Sequence, residues 1–136
     1  MRNNYTGGVG FEFTVGTSSI NLTQLGLWVV SGNSTPTTIR LLNSSCVQLG
    51  STTINPSGAP AGYMYGVVGA PITLTAGASY FALADTANAG DQWCEGNTIV
   101  TTTAVATVVS AAYDHTACSL TFTGTYSYGP VDFKYQ

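Results

Sequence analysis

The stretch Asn88-Ala89-Gly90-Asp91-Gln92-Trp93-Cys94-Glu95-Gly96-Asn97 places an indole among carboxylates and amides. That mixture suits sugar recognition. A flat aromatic face packs against the apolar C–H face of a pyranose, while Asp91, Gln92, Glu95 and Asn97 offer donors and acceptors to its hydroxyls. Trp93 is therefore expected to be a ligand contact, the alternative being that it turns inward and plugs the end of the fold. Trp28 lies within the apolar run 25–30 and reads as a core residue. Tyr63 and Tyr65 are two positions apart, as are Tyr126 and Tyr128. On a strand each pair shares a face, forming either an exposed platform or a hydroxylated cover over the core edge. Tyr63 and Tyr65 join the expected ligand contacts.

Covalent chemistry finds little support. His115 is the sole imidazole and sits in Tyr113-Asp114-His115-Thr116, which reads as a turn. A catalytic nucleophile needs a base beside it, and no nucleophile elbow, phosphate loop or dinucleotide fingerprint accompanies this one. Glycoside hydrolysis needs two carboxyls flanking a bond. Asp91 and Glu95 share a loop, but six carboxyls in one chain always allow such a pair, and turn hydrogen bonds account for most of them. The domain is expected to be non-catalytic and to require no cofactor. Calcium is the one candidate ion, through Glu12 and Asp132 if the first and last strands are neighbours, or through Asp91 and Glu95. Neither pair has a diagnostic spacing. Tetrahedral zinc is not expected, because three cysteines without a C-x-x-C pair and one histidine make a poor ligand set.

A chain of 136 residues fits one domain spanning 1–136. Charged residues are only 7%, against an ordinary share of about 25%. Hydroxyls and amides carry the polarity instead. Eight Tyr, five Phe and two Trp at a net charge of -3 argue for a folded chain rather than a disordered one. Three basic residues, Arg2, Arg40 and Lys134, cannot neutralise a phosphate backbone, so nucleic acid is excluded as a partner. No apolar run reaches the roughly 18 to 20 residues of a membrane span, so membrane insertion is not expected.

Low charge, abundant Thr and Asn, and the three cysteines suit an oxidising compartment, with one disulfide and one spare thiol. Cys94 to Cys118 is favoured, since each borders a loop-like stretch in the C-terminal half, and the other two pairings stay open. Four sequons, at Asn4, Asn21, Asn33 and Asn43, are the number that chance supplies in so Asn-, Ser- and Thr-rich a chain. The start, Met1-Arg2-Asn3-Asn4, lacks the apolar core of a signal peptide. The domain is expected to belong to a larger secreted protein with neighbouring domains.

Period-two alternation, not helical spacing, runs through the chain. Val9, Phe11, Phe13 and Val15 make one apolar face of a first strand. Ile20 and Leu22 share one parity while Leu25, Leu27 and Val29 share the other, and a bulge near Gln24 reconciles them. Further strands are expected at 37–42, 47–54, 63–68, 80–84, 98–109, 120–128 and 131–135, separated by Gly, Pro, Asn and Ser clusters. Many short strands without crossover helices predict an all-β, antiparallel β-sandwich, jelly-roll-like in topology, with an immunoglobulin-like arrangement as the alternative.

The strings Leu25-Gly26-Leu27-Trp28-Val29-Val30-Ser31-Gly32-Asn33, Gly58-Ala59-Pro60-Ala61-Gly62, Pro71-Ile72-Thr73-Leu74-Thr75-Ala76-Gly77-Ala78-Ser79-Tyr80, Gly90-Asp91-Gln92-Trp93 and Tyr128-Gly129-Pro130-Val131-Asp132-Phe133-Lys134-Tyr135 together carry a likeness over most of the chain. The sequence resembles an accessory β-sandwich domain of large secreted bacterial proteins, some of them polysaccharide-degrading, loosely related to the DUF4082-like sandwiches. The resemblance implies extracellular display beside other domains. Leu27 stands where a basic residue is expected, and Cys94 where an aromatic one is expected. The functional expectation is a secreted accessory module that binds a polysaccharide or oligosaccharide. A structural or adhesive unit of a surface protein or appendage is the alternative.

Overall fold

A computed structural model describes residues 1–114, 117–129 and 131–136; of the expected turn, Tyr113 and Asp114 end a strand, and His115 and Thr116 lie outside the described residues. The chain is an antiparallel β-sandwich, and among the described residues there is no helix. In chain order the strands are β1 (Gly7–Val15), β2 (Ile20–Val29), β3 (Thr37–Asn43), β4 (Gln48–Ile54), β5 (Gly62–Leu74), β6 (Ser79–Thr86), β7 (Thr98–Ile99), β8 (Ala106–Asp114), β9 (Cys118–Thr123), β10 (Tyr126–Ser127) and β11 (Val131–Tyr135). Six strands form the larger sheet, in the order β4-β3-β6-β1-β8-β9, and β11-β2-β5 form the smaller; β10 and β7 make a short ribbon. The chain crosses between the two sheets from β1 to β2 to β3 and from β4 to β5 to β6, while β3–β4 and β8–β9 are neighbours within the larger sheet, so that six strands face three.

The alternating residues of the first strand do what their spacing demands. Phe11, Phe13 and Val15 enter the main core beside Leu22, Leu25, Ile39, Leu41, Leu74, Tyr80 and Ala82. Phe13 is fully buried and meets Phe11, Tyr80 and Phe133, with ring centroids 5.8, 5.8 and 4.7 Å away. Close aromatic pairs of this kind add to the stabilisation from area burial alone. The bulge near Gln24 is present: β2 is paired with β5 through Leu22↔Ile72 on one side and Gln24↔Val67 on the other. Strand β5 runs on to Leu74, absorbing the extra residues around Gly69 and Pro71. The β-branched stretch 98–109 does not form one strand. It breaks between β7 and β8, where Thr102 Oγ1 takes up the Val108 N–H and donates to the Ala106 carbonyl, bonding the turn to itself.

A second apolar layer lies on the outer face of the large sheet. Leu42, Phe81 and Leu83 have the opposite parity to Leu41, Tyr80 and Ala82, and together with Ala112 they are buried beneath Cys46 and Cys118. Arg40 closes the edge of this layer, with Nη2 2.7 Å from Asp85 and 2.9 Å from Asp114. Burial works against the guanidinium charge, and the two carboxylates outweigh it.

The disulfide is Cys46–Cys118, not the expected Cys94 to Cys118. Asn43 Oδ1 accepts from the Ser45 and Val47 N–H groups, and this tight turn holds Cys46 in the left-handed region, at φ 63°. The turn carries Cys46 over the outer layer to within 5.7 Å, Cα to Cα, of Cys118 at the start of β9. Cys94 keeps a free thiol. Proximity along the chain was a poor guide, because the bond joins residues 72 positions apart. Closing so long a loop is worth about 4 kcal/mol in the chain-entropy account of cross-links.

Unreduced peptide mapping should therefore recover a peptide pair containing Cys46 and Cys118, with Cys94 alone alkylated in the native protein. Replacing Cys118 by Ser should lower stability by about 2 to 5 kcal/mol in denaturant melts. A Cys94-containing disulfide in freshly prepared protein would contradict the fold as described.

Candidate functional site

The loop 88–97 spends its polar groups on bracing the fold. Asp91 Oδ2 accepts from the N–H groups of Ser34 and Thr35 at 2.8 and 2.7 Å. Asn33 pairs with the Gln92 backbone in both directions, at 2.9 and 3.1 Å. Glu95 accepts from Arg2 at 2.8 Å and from the Gly96 N–H at 3.1 Å. Burial alone would raise the Glu95 carboxyl, but these hydrogen bonds and the Arg2 charge hold it below its ordinary value. Of the ligand contacts expected in this loop, Gln92 and Asn97 are the ones left exposed.

Trp93 is buried, at 6% exposure, in a satellite cluster with Val9, Ala111 and Tyr128. This corrects its expected role as the exposed stacking residue. Its backbone exchanges hydrogen bonds with Arg2 at 2.8 and 2.9 Å, and the Arg2 guanidinium lies 5.1 Å from the ring centroid. The indole N–H is buried with no partner among the described residues, so Trp93 acts through packing. Tyr128 is buried against it with the rings nearly perpendicular, so Tyr126 and Tyr128 do not make an open platform.

The exposed tryptophan is Trp28, at 38%. Its neighbours in β2, Leu27 and Val29, point inward, which turns Trp28 onto the outer face of the three-stranded sheet. Directly across the ladder stands Tyr63, 41% exposed, with ring centroids 5.3 Å apart and planes nearly perpendicular. Tyr65 follows two residues on, its ring 6.0 Å from that of Tyr63 and inclined by only 27°. Three aromatic rings thus line one sheet face.

Gly26 is what lets Tyr65 lie down. Asp132, Gly26 and Tyr65 are aligned across the three strands, and a Cβ on Gly26 would come within 2.5 Å of the Tyr65 ring. The ring crosses the bare glycine, and its hydroxyl donates to Asp132 Oδ2. Burial raises the Tyr65 hydroxyl pKa, and the Asp132 carboxylate adds to the rise, so the phenol keeps its proton. Lys134 reaches over the same ring, Nζ 4.1 Å from its centroid, capping the strip at that end. The Tyr63 hydroxyl is raised too, by burial and then by Asp132 and Cys94.

Tyr63 and Tyr65 thus belong to one cluster, as expected, and their partners are Trp28, Asp132 and Lys134. Trp93, Asp91, Gln92, Glu95 and Asn97 lie in the bracing loop. Trp28 was missed because its apolar neighbours suggested burial, although its parity relative to Leu25, Leu27 and Val29 was the signal that points outward.

Glu12 and Asp132 are not brought together. Glu12 sits between Phe11 and Phe13 in the large sheet and Asp132 between Val131 and Phe133 in the small one, so each points away from the core on opposite sides of the sandwich. The two carboxylates therefore do not share a site. Asp91 and Glu95 are likewise committed, to backbone amides and to Arg2 respectively. Among the described residues the one cluster of metal-ligating side chains is Cys46, Asp114 and Cys118, whose sulfurs are joined to each other.

Burial raises the Glu12 carboxyl pKa. A raised acid is penalised in its ionised form, so the cost to stability is absent below its unfolded pKa and complete above its folded one. Glu12→Gln should raise the melting temperature at neutral pH, with the gain shrinking as pH falls through the carboxylate range. An equal gain at all pH values would contradict this assignment. For the tryptophans, Trp93→Ala should cost about 3 to 5 kcal/mol in denaturant unfolding, as for an emptied core site, and Trp28→Ala under about 1 kcal/mol. The reverse order would overturn the burial described.

Comparison with known proteins leaves the site to be read on its own chemistry: no family model matches the chain, and no curated protein or solved structure is significantly similar to it.

Proposed function

We propose that this domain is a non-catalytic carbohydrate-binding module of an extracellular protein, and that it binds through the outer face of its three-stranded sheet. The observation that carries this reading is the cluster of Trp28, Tyr63 and Tyr65, with Trp28 and Tyr63 left exposed on one face of the three-stranded sheet. An aromatic group this exposed and this ordered is a costly surface unless something covers it. Sugar rings fit, because their C–H faces stack on aromatic rings while their hydroxyls meet polar groups at the rim.

The rim has that chemistry. Gln24 and Lys134 face each other across the ladder, beside Asp132, and Asn21 and Thr73 continue the face further along β2 and β5. The pre-set Tyr65 ring would lose little freedom on binding, which favours weak but selective recognition. Each of Asp85, Asp91, Glu95, Asp114 and Asp132 is engaged in an ion pair or hydrogen bond within the fold, which supports binding rather than hydrolysis. The Cys46–Cys118 bond suits an oxidising compartment, and the resemblance to accessory sandwiches of secreted bacterial proteins points the same way.

Pull-down on insoluble polysaccharides, combined with a glycan array, tests this directly. The protein should be retained on at least one plant, algal or microbial polymer. Trp28→Ala and Tyr63→Ala should each weaken that binding by about 2 kcal/mol, some thirty-fold, with melting temperatures close to the parent. Failure to bind any polymer at high protein concentration would defeat the proposal. Loss of binding on Trp93 replacement alone, in folded protein, would move the site to the other end of the sandwich.

A further inference from the structure

Six strands face three, so part of the large sheet lacks a strand above it. The uncovered strip is a groove of about 420 Å³ between β11 and the segment 99–103. Phe11 and Val108 form its apolar floor, Val131, Phe133 and Tyr135 one wall, and Thr101, Thr102 and Thr103 the other. Among the described residues strand β11 pairs with β2 alone, so its second backbone edge borders the groove without a strand partner there. Tyr63 and Asp132 line the groove as well as the aromatic cluster, so the two features are continuous.

That continuity decides what the groove fits. Its volume lies within the range of about 300 to 1,000 Å³ of small-molecule sites. It runs beside five residues of strand, about 17 Å at the usual rise, which is longer than one sugar ring. Its apolar floor suits the C–H faces of sugar rings, while the threonine hydroxyls on one wall and the backbone edge on the other suit their hydroxyls.

We propose that the aromatic face and this groove form one extended cleft, which takes a segment of a linear polysaccharide several sugars long rather than a single sugar. The proposal rests on the carbohydrate reading above. Aromatic stacking by Tyr63 and Trp28 supplies the first contacts, and the groove supplies further subsites along β11. Thr101 and Tyr135 stand on opposite walls, and Thr101 and Tyr135 are both exposed.

Calorimetric titration with cello-, xylo- and manno-oligosaccharides, from disaccharide to hexasaccharide, tests it on the intact domain. Affinity for the recognised series should rise at least tenfold between disaccharide and tetrasaccharide. Thr101→Trp, which fills the groove from the solvent side, should remove that rise while leaving disaccharide binding intact. Trp28→Ala should weaken every length alike. If Thr101→Trp fails to fold by its thermal melt, Tyr135→Ala from the opposite wall should show the same flattening. An affinity that levels off at the disaccharide, or a length dependence unchanged in a folded groove variant, overturns the extended cleft and leaves the aromatic site standing. Absence of binding to every oligosaccharide and every polymer overturns both. Concentration-dependent dimerisation abolished by Thr101→Trp would assign the groove to strand addition between copies and overturn the proposal.

Discussion

Parity along the strands is the constraint from which the rest of this structure follows. Successive side chains point to opposite faces, so once Leu25, Val131 and Phe133 are committed to the core, their neighbours have nowhere to go but out. Trp28, Tyr63, Tyr65, Asp132 and Lys134 occupy the outer face for that reason, not because each is individually suited to solvent. The core fixes their spacing as rigidly as it fixes its own. A one-residue slip in β2 would exchange the two sets, and the bulge between Leu22 and Gln24 is what keeps both halves of that strand in phase with the core.

Within this frame Gly26 and Asp132 order the aromatic strip. A side chain at position 26 would lift the Tyr65 ring off the sheet, and without the Asp132 carboxylate its hydroxyl would have no fixed partner. Lys134 adds a cation over the same ring. The result is an aromatic surface whose geometry is set before any ligand arrives, which lowers the entropy that binding must overcome.

The opposite end of the sandwich uses similar residue types for another purpose. Asp91, Glu95 and Trp93 have the composition of a sugar site, yet Asp91 bonds the backbone of Ser34 and Thr35, Glu95 holds Arg2, and Trp93 fills a satellite core. Buried polar groups and helix-free loops must find partners within the chain, and a loop rich in donors and acceptors supplies them. The outer layer around Leu42, Phe81 and Leu83 makes a comparable demand at the large sheet, met by the Arg40 ion pairs and the Cys46–Cys118 bond.

From the sequence alone came the all-β class, the antiparallel sandwich, the position of the bulge in β2, the last strand over 131–135, and the shared face of Tyr63 and Tyr65, because all of these depend on local alternation and turn chemistry. Tertiary structure alone decided which tryptophan is buried, which cysteines are joined, and that Glu12 and Asp132 stand on opposite sides. Those outcomes depend on how strands far apart in the chain stack, and stacking is set by the packing of the whole core. The run 98–109 divides for the same kind of reason: β-branched residues favour strands in general, but only residues with a ladder partner remain one, and the segment between β7 and β8 bonds to itself instead.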